Sequence, residues 1–144
     1  MRRSGLPVPR PLAAQYVRSG LSYRADIMLE LIAGSRDLAT LLAAGTTLNA
    51  AQWQQLGAVI ARFHQHGVYH SDLNCHNILL DSNGGFWLID FDKCGLRQAG
   101  DWQQANLARL LRSLQKEQGL HAGFAWQITQ WPALLQGYNQ QFNS

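Results

Sequence analysis

Residues 78–89 constrain the fold more tightly than any other stretch. Ile78-Leu79-Leu80 and Phe86-Trp87-Leu88-Ile89 are short apolar runs, and Asp81-Ser82-Asn83-Gly84-Gly85 lies between them. Asn-Gly readily takes the positive φ angles of a tight turn, so the segment predicts a hairpin with strands near 77–80 and 86–90. A hairpin sets the residues at its two open ends side by side. Here those residues are polar: Asn77 opens the first strand and Asp90 closes the second. Asp72 begins an Asp-x-x-x-x-Asn segment that ends on Asn77. A looped segment of that length can turn a carboxylate and an amide oxygen toward one pocket.

This set of side chains suits phosphoryl transfer. The reaction needs metal to neutralise phosphates, an acceptor hydroxyl in line, and a base near that hydroxyl. Mg²⁺ takes oxygen ligands, keeps several waters and uses only one or two protein carboxylates. The residue types assign Asp72 as base or hydroxyl-orienting group, and Asn77 and Asp90 as metal ligands.

The flanking segments predict an α+β chain. Prolines at 7, 9 and 11 make an extended lead-in. Residues 12–18 and 24–32 read as strands around a turn at 19–22. Ser35 is a candidate N-cap for a short helix bearing Leu38, Leu41 and Leu42, which Gly45 ends. Trp53, Leu56, Val59, Ile60 and Phe63 recur at helical spacing over 49–66, and Gly67 is placed to stop that helix. Asp101 is a candidate N-cap for a helix with Leu107, Leu110, Leu111 and Leu114 inward. Trp131-Pro132 to Phe142 predicts a last helix with Pro132 at its first position. Strands, helices, a hairpin and further helices in that order define an α+β class.

Composition excludes several alternatives. A length of 144 residues suits one domain, and 47% apolar against 15% charged residues allows a packed core rather than disorder. The two cysteines cannot form a disulfide framework, which fits a reducing compartment. No apolar run approaches the roughly 18–20 residues of a membrane span. The net charge of +3 fits an anionic partner. The basic residues are scattered rather than clustered with aromatics, which argues against nucleic acid.

The wording of the chain then carries a resemblance. His70-Ser71-Asp72 with Asn77, followed by Ile89-Asp90-Phe91-Asp92, resembles the catalytic loop and metal-binding segment of the protein-kinase-like fold. Two residues depart from its pattern: Ser71 stands for Arg and Asp92 for Gly. More narrowly, residues 69–81, Leu88-Ile-Asp-Phe-Asp-Lys-Cys94 and Asn106-Leu-Ala-Arg-Leu-Leu-Arg-Ser-Leu114 are similar to the 3-deoxy-D-manno-octulosonic acid (Kdo) kinases. The resemblance implies ATP-dependent phosphorylation of the 4-hydroxyl of Kdo on a lipid A precursor, with Mg²⁺. It implies peripheral work at the cytoplasmic face of the inner membrane of a Gram-negative bacterium. It also implies that residues 1–34 are the remnant of a small lobe and 35–144 a helical lobe. Glu30 to Ile32 then correspond to an adenine-binding hinge.

No glycine-rich loop or strand lysine can be placed before residue 12. The expectation is a chain that starts in the middle of the small lobe and is weakly active or inactive alone. Two rivals follow: an aminoglycoside-type kinase of the same fold, and a non-catalytic remnant. Lys93 and Arg97 directly follow the metal segment and are candidates for acceptor contact. Arg109 and the other arginines read as solvated surface. His64, His66, His70, Cys75 and His76 do not repeat a zinc-ligand pattern. His64 and His66 fall at a helix end, where a cation would favour the dipole, and His70 is expected to hold the loop through backbone hydrogen bonds.

Overall fold

The computed structural model describes residues 34–90 and 95–144. The strands expected at 12–18 and 24–32, the hinge residues Glu30 and Ile32, and Lys93 lie outside the described residues.

The hairpin forms as β3 (Ile78–Leu80) and β4 (Phe86–Leu88), with Ile78 opposite Leu88 and Leu80 opposite Phe86. Its turn differs from the expected one. Gly84 has φ +85°, whereas Asn83 stays at negative φ. The loop is held instead by Asp81, whose carboxylate accepts from the N–H of Asn83 and of Gly85, each at 2.8 Å, and from the Trp87 indole at 2.7 Å. A turn closed by one left-handed glycine needs only that residue at positive φ. β1 (Arg36–Asp37) joins the free edge of β3, giving an antiparallel sheet in the order β1-β3-β4.

The first helix, α1 (Leu38–Ala43), is capped by Asp37 and not by Ser35. The Asp37 carboxylate accepts from the Thr40 N–H at 3.0 Å and from its hydroxyl at 2.7 Å. Pairing of Arg36 and Asp37 with β3 keeps the chain extended through Asp37, so the helix starts later than a Ser35 cap requires. Leu38 and Leu42 are buried as expected, and Ala39 rather than Leu41 completes the buried face.

The main helix α2 (Ala50–Gln65) opens on a capping box between Asn49 and Gln52. Gly67, at φ +72°, ends it. A Cβ there would also overlap the Arg97 carbonyl. β2 (Val68–Tyr69) then pairs with β5 (Gly95–Leu96). Helix α3 (Trp102–Leu120) buries Leu107, Leu110 and Leu114, while Leu111 is only half-buried. Asp101 occupies its N-cap position without a side-chain capping bond. Helix α4 (Trp131–Phe142) follows a 3₁₀ turn, so Trp131 is its first residue and Pro132 its second.

α2 and α4 pack backbone to backbone. A Cβ on Gly57 would overlap the Leu134 carbonyl, and one on Gly137 would overlap the Gln54 carbonyl. The core centres on Trp53, Leu56, Ile60, Leu134 and Trp126, with the hairpin residues Ile78, Phe86 and Leu88 continuing it toward the loop at 70–77. Mixed helices and small antiparallel sheets fit the α+β class.

Candidate active site

The loop between β2 and β3 is built around His70, which is 3% exposed. The Asp72 N–H donates to His70 Nδ1 at 3.1 Å. That fixes the tautomer, because an accepting Nδ1 carries no proton. Nε2 therefore bears the hydrogen and donates to the Ile89 carbonyl at 2.8 Å. Burial is the main cause holding the His70 pKa below the usual value; the Ile89 bond and the nearby Asp90 and Asp72 charges act the other way. A neutral imidazole is what both bonds require.

Ile89 is thus clamped at both its backbone groups. Its carbonyl takes His70, and its N–H donates to the Asn77 carbonyl at 3.0 Å. The next residue, Asp90, sits in the left-handed region at φ 64°, alone among the described non-glycine residues. Asp and Asn tolerate that region better than most residues, yet it costs free energy that the surroundings must offset. The two bonds to Ile89 hold the chain at the point where it makes that turn.

Asn77 is buried and completes the loop: its Nδ2 donates to the Asp72 carbonyl at 2.9 Å. This spans the Asp-x-x-x-x-Asn segment with a single bond and leaves Oδ1 as the amide atom for a cation. Asp72, Asn77 and Asp90 are therefore connected through the backbone: Asn77 to Asp72 by its side chain, and Asn77 to the residue before Asp90 by its carbonyl. Among the described residues, no three His, Cys, Asp or Glu side chains group to hold a metal ion. One carboxylate and one amide oxygen fit Mg²⁺, which draws its remaining ligands from phosphates and water.

Helix α3 carries the supports that sequence reasoning missed. Asn106 brackets the His70 peptide units: its Nδ2 donates to the His70 carbonyl at 2.9 Å, and its Oδ1 accepts from the His70 N–H at 3.3 Å. Arg109 places Nε 3.2 Å from Asp72 Oδ1, so it is not the plain surface cation expected of it. The Ser113 hydroxyl accepts from the Cys75 N–H at 3.0 Å. Glu117 lies 3.3 Å from His76 Nε2 and 3.4 Å from His121 Nε2. These four residues follow one another three or four positions apart, so one stripe of the helix faces the loop. The one available signal was Asn106 itself, a polar residue placed beside the leucine stripe.

His64 is a second correction. It is buried, its Nδ1 lies 2.7 Å from the Tyr138 hydroxyl, and its Nε2 lies 3.3 Å from Asn106 Oδ1. Because the Asn106 oxygen can only accept, His64 Nε2 carries the hydrogen and Nδ1 accepts from Tyr138. Burial lowers its pKa to about 4, partly opposed by the Asn106 bond. It is therefore a neutral core residue and not a cation on a helix end. His66, by contrast, is exposed and bonds the Arg62 carbonyl at 2.8 Å. Cys75 is fully buried, and burial raises its thiol to about 11, so it is an inert core side chain.

Arg97 stacks over the Tyr69 ring at 3.7 Å, and its N–H donates to the Gly67 carbonyl at 2.7 Å. No bond joins it to Asp72, Asn77 or Asp90.

The lipopolysaccharide kinase (Kdo/WaaP) family model matches residues 1–138. The chain belongs to that family. It is 48% identical over 142 residues to a 3-deoxy-D-manno-octulosonic acid kinase of Vibrio vulnificus (strain YJ016), covering 98% of this chain and 59% of the relative. It is 54% identical over 121 residues to the protein of that name from Stenotrophomonas maltophilia (strain K279a), covering 83% of this chain and 47% of the relative. A Xylella fastidiosa (strain M12) protein of the same name is 53% identical over 116 residues, covering 80% of this chain and 46% of the relative. The chain therefore spans about half the length of the curated relatives it matches.

Proposed function

We propose that this chain carries the acceptor-hydroxyl and metal-binding part of a kinase that phosphorylates the 4-hydroxyl of Kdo on a lipid A precursor, with ATP as donor. The names of the relatives support the acceptor, and the family supports the reaction class. The observation that carries the site assignment is the Asn77 bond to the Asp72 carbonyl beside the clamped Asp90 turn.

Asp72 is the group that orients the acceptor hydroxyl and takes its proton. Its backbone is fixed at both ends, by His70 at the N–H and by Asn77 at the carbonyl. Its carboxylate is 47% exposed and so is open to a substrate. Asn77 Oδ1 and the Asp90 carboxylate would hold Mg²⁺. Bound there, Mg²⁺ would neutralise charge on the donor phosphates. The helical part from residue 35 onward reads as the large lobe of a protein-kinase-like fold, and residues 1–34, with Glu30 and Ile32, as part of the small lobe. A glycolipid acceptor together with an ATP donor supports peripheral work at the cytoplasmic face of the inner membrane. No helix of the described residues is long and apolar enough to cross a membrane.

The test is phosphate transfer from labelled ATP to Kdo-lipid A precursor by the full-length gene product containing this chain. Asp72→Ala is expected to lower kcat by a factor of about 10²–10⁴, the usual contribution of a positioned acid–base group. Near-normal turnover by that variant overturns the assignment.

A further inference from the structure

Arg109 touches the proposed base in an unusual way. Its Nε, not the terminal fork, lies 3.2 Å from Asp72 Oδ1. Its terminal N–H groups have no partner among the described residues, and the side chain is 49% exposed. An exposed pair of this kind adds little to stability, because solvent screens it and the long side chain loses rotamer entropy. The geometry instead leaves a planar pair of donors beside the carboxylate that an acceptor hydroxyl must reach. Such a fork suits a carboxylate or phosphate, which it can grip with two parallel bonds.

We propose that Arg109 binds the carboxylate of the sugar-acid acceptor and so selects an acidic sugar. This rests on the reading that a 3-deoxy-D-manno-octulosonic acid unit presents its hydroxyl to Asp72. Two features of the structure support it. Arg109 stands on the helix stripe that also fixes His70 through Asn106 and Cys75 through Ser113, so its base is held in register with the loop. Asp72 Oδ2 has no partner among the described residues, so one carboxylate oxygen remains for the acceptor hydroxyl while Oδ1 holds Arg109. The same Arg109–Asp72 contact thereby sets the spacing between the bound anion and the reacting hydroxyl. A neutral sugar of similar shape could reach Asp72 but would leave the cation without an anion.

The experiment uses the full-length gene product containing this chain, with a Kdo-bearing lipid acceptor and the same acceptor as its carboxamide. Wild type is expected to show a KM for the acid roughly tenfold below that for the carboxamide, as a charge-assisted contact open to solvent would give. In Arg109→Gln that discrimination collapses, chiefly through a higher KM for the acid, and Arg109→Lys recovers part of it. Equal loss of kcat on both acceptors, with discrimination intact, overturns the proposal and leaves Arg109 only a positioning residue for Asp72. A preference that follows removal of the lipid phosphates rather than of the sugar carboxylate also overturns it. Calorimetric titration of Kdo without nucleotide separates the two readings. Binding of the acid weakened roughly tenfold in Arg109→Gln supports the anion site whatever the turnover; equal binding by both proteins overturns it. Failure of wild type to phosphorylate either acceptor counts against the function reading.

Discussion

Asn106→Ala removes one side chain and strands two buried backbone groups. The amide accepts the His70 N–H at 3.3 Å and donates to the His70 carbonyl at 2.9 Å, and both His70 and Asn106 are 3% exposed. Each buried polar group left without a partner costs about 1–3 kcal/mol. The longer bond to the N–H belongs near the low end and the shorter one near the middle. His64 Nε2 loses its 3.3 Å partner as well. Alanine is the better helix former by roughly 0.5 kcal/mol, which offsets a little. The net expectation is a loss of about 2–4 kcal/mol, a large share of the stability of a domain this size. Urea unfolding at neutral pH measures it, with Gln104→Ala, an exposed position on the same helix, as control. Amide exchange at His70 and Asp72 should quicken in the Asn106 variant, because the loop opens where its bracket is lost. A loss under about 1 kcal/mol with unchanged exchange would show that Asn106 does not hold the loop.

Two further predictions follow from the same core. His64 has its pKa lowered to about 4, so between pH 6.5 and 4 the unfolded chain binds a proton that the folded one excludes. Stability is therefore full above pH 6.5 and falls with acidity, by about 2 kcal/mol at pH 5; the shift of His70 has the same sign. Urea midpoints at pH 7.5 and 5 for wild type and His64→Gln test this, and an equal drop in both proteins would refute it. Gly57→Ala and Gly137→Ala should each cost about 2–3 kcal/mol or more, since the new methyl meets backbone that cannot yield. Gly119→Ala, which meets nothing within 4 Å on α3, should instead stabilise slightly in thermal melts. Stabilisation at Gly57 would show that the two helices can move apart.

The elements carried by local chemistry were legible. Asn83-Gly84, the spacing of Trp53 to Phe63 and the leucines of α3 each announce their element without help from the rest of the chain. Features decided by pairing at a distance were not. A two-residue strand such as Arg36–Asp37 has no periodicity to read, and it moved the helix cap from Ser35 to Asp37. His64 looked like a helix-end cation because its partners, Tyr138 and Asn106, lie far away in sequence. Apolar periodicity locates the buried face of α3 but is silent on the polar residues of an adjacent face. Asn106, Arg109, Ser113 and Glu117 therefore stayed invisible as a set, although their spacing is as regular as that of the leucines. Within the loop, Asp72, Asn77 and Asp90 were legible from residue type and hairpin geometry. The left-handed turn at Asp90 was not, because it depends on Ile89 being held from both sides.

These unreadable parts meet at one point. His64 on α2 joins Tyr138 on α4 to Asn106 on α3, and Asn106 in turn holds His70. His70 then sets Asp72 by one ring nitrogen and Ile89 by the other. As neutral rings, both histidines accept at Nδ1 and donate at Nε2, and at His70 the backbone donor admits no other state. Protonating His70 would set a second donor against the Asp72 N–H and break the path from helix packing to loop at that atom, whereas at His64 the Tyr138 hydroxyl would have to turn from donor to acceptor. Burial keeps both rings neutral, so the apolar core does more than supply stability. It sets the protonation state that the loop geometry needs. The site is accordingly exact only while α2, α3 and α4 stay packed, which is why glycines at the α2–α4 contact and an asparagine beside the leucine stripe matter to Asp72 and Ile89, to which none of them is hydrogen-bonded.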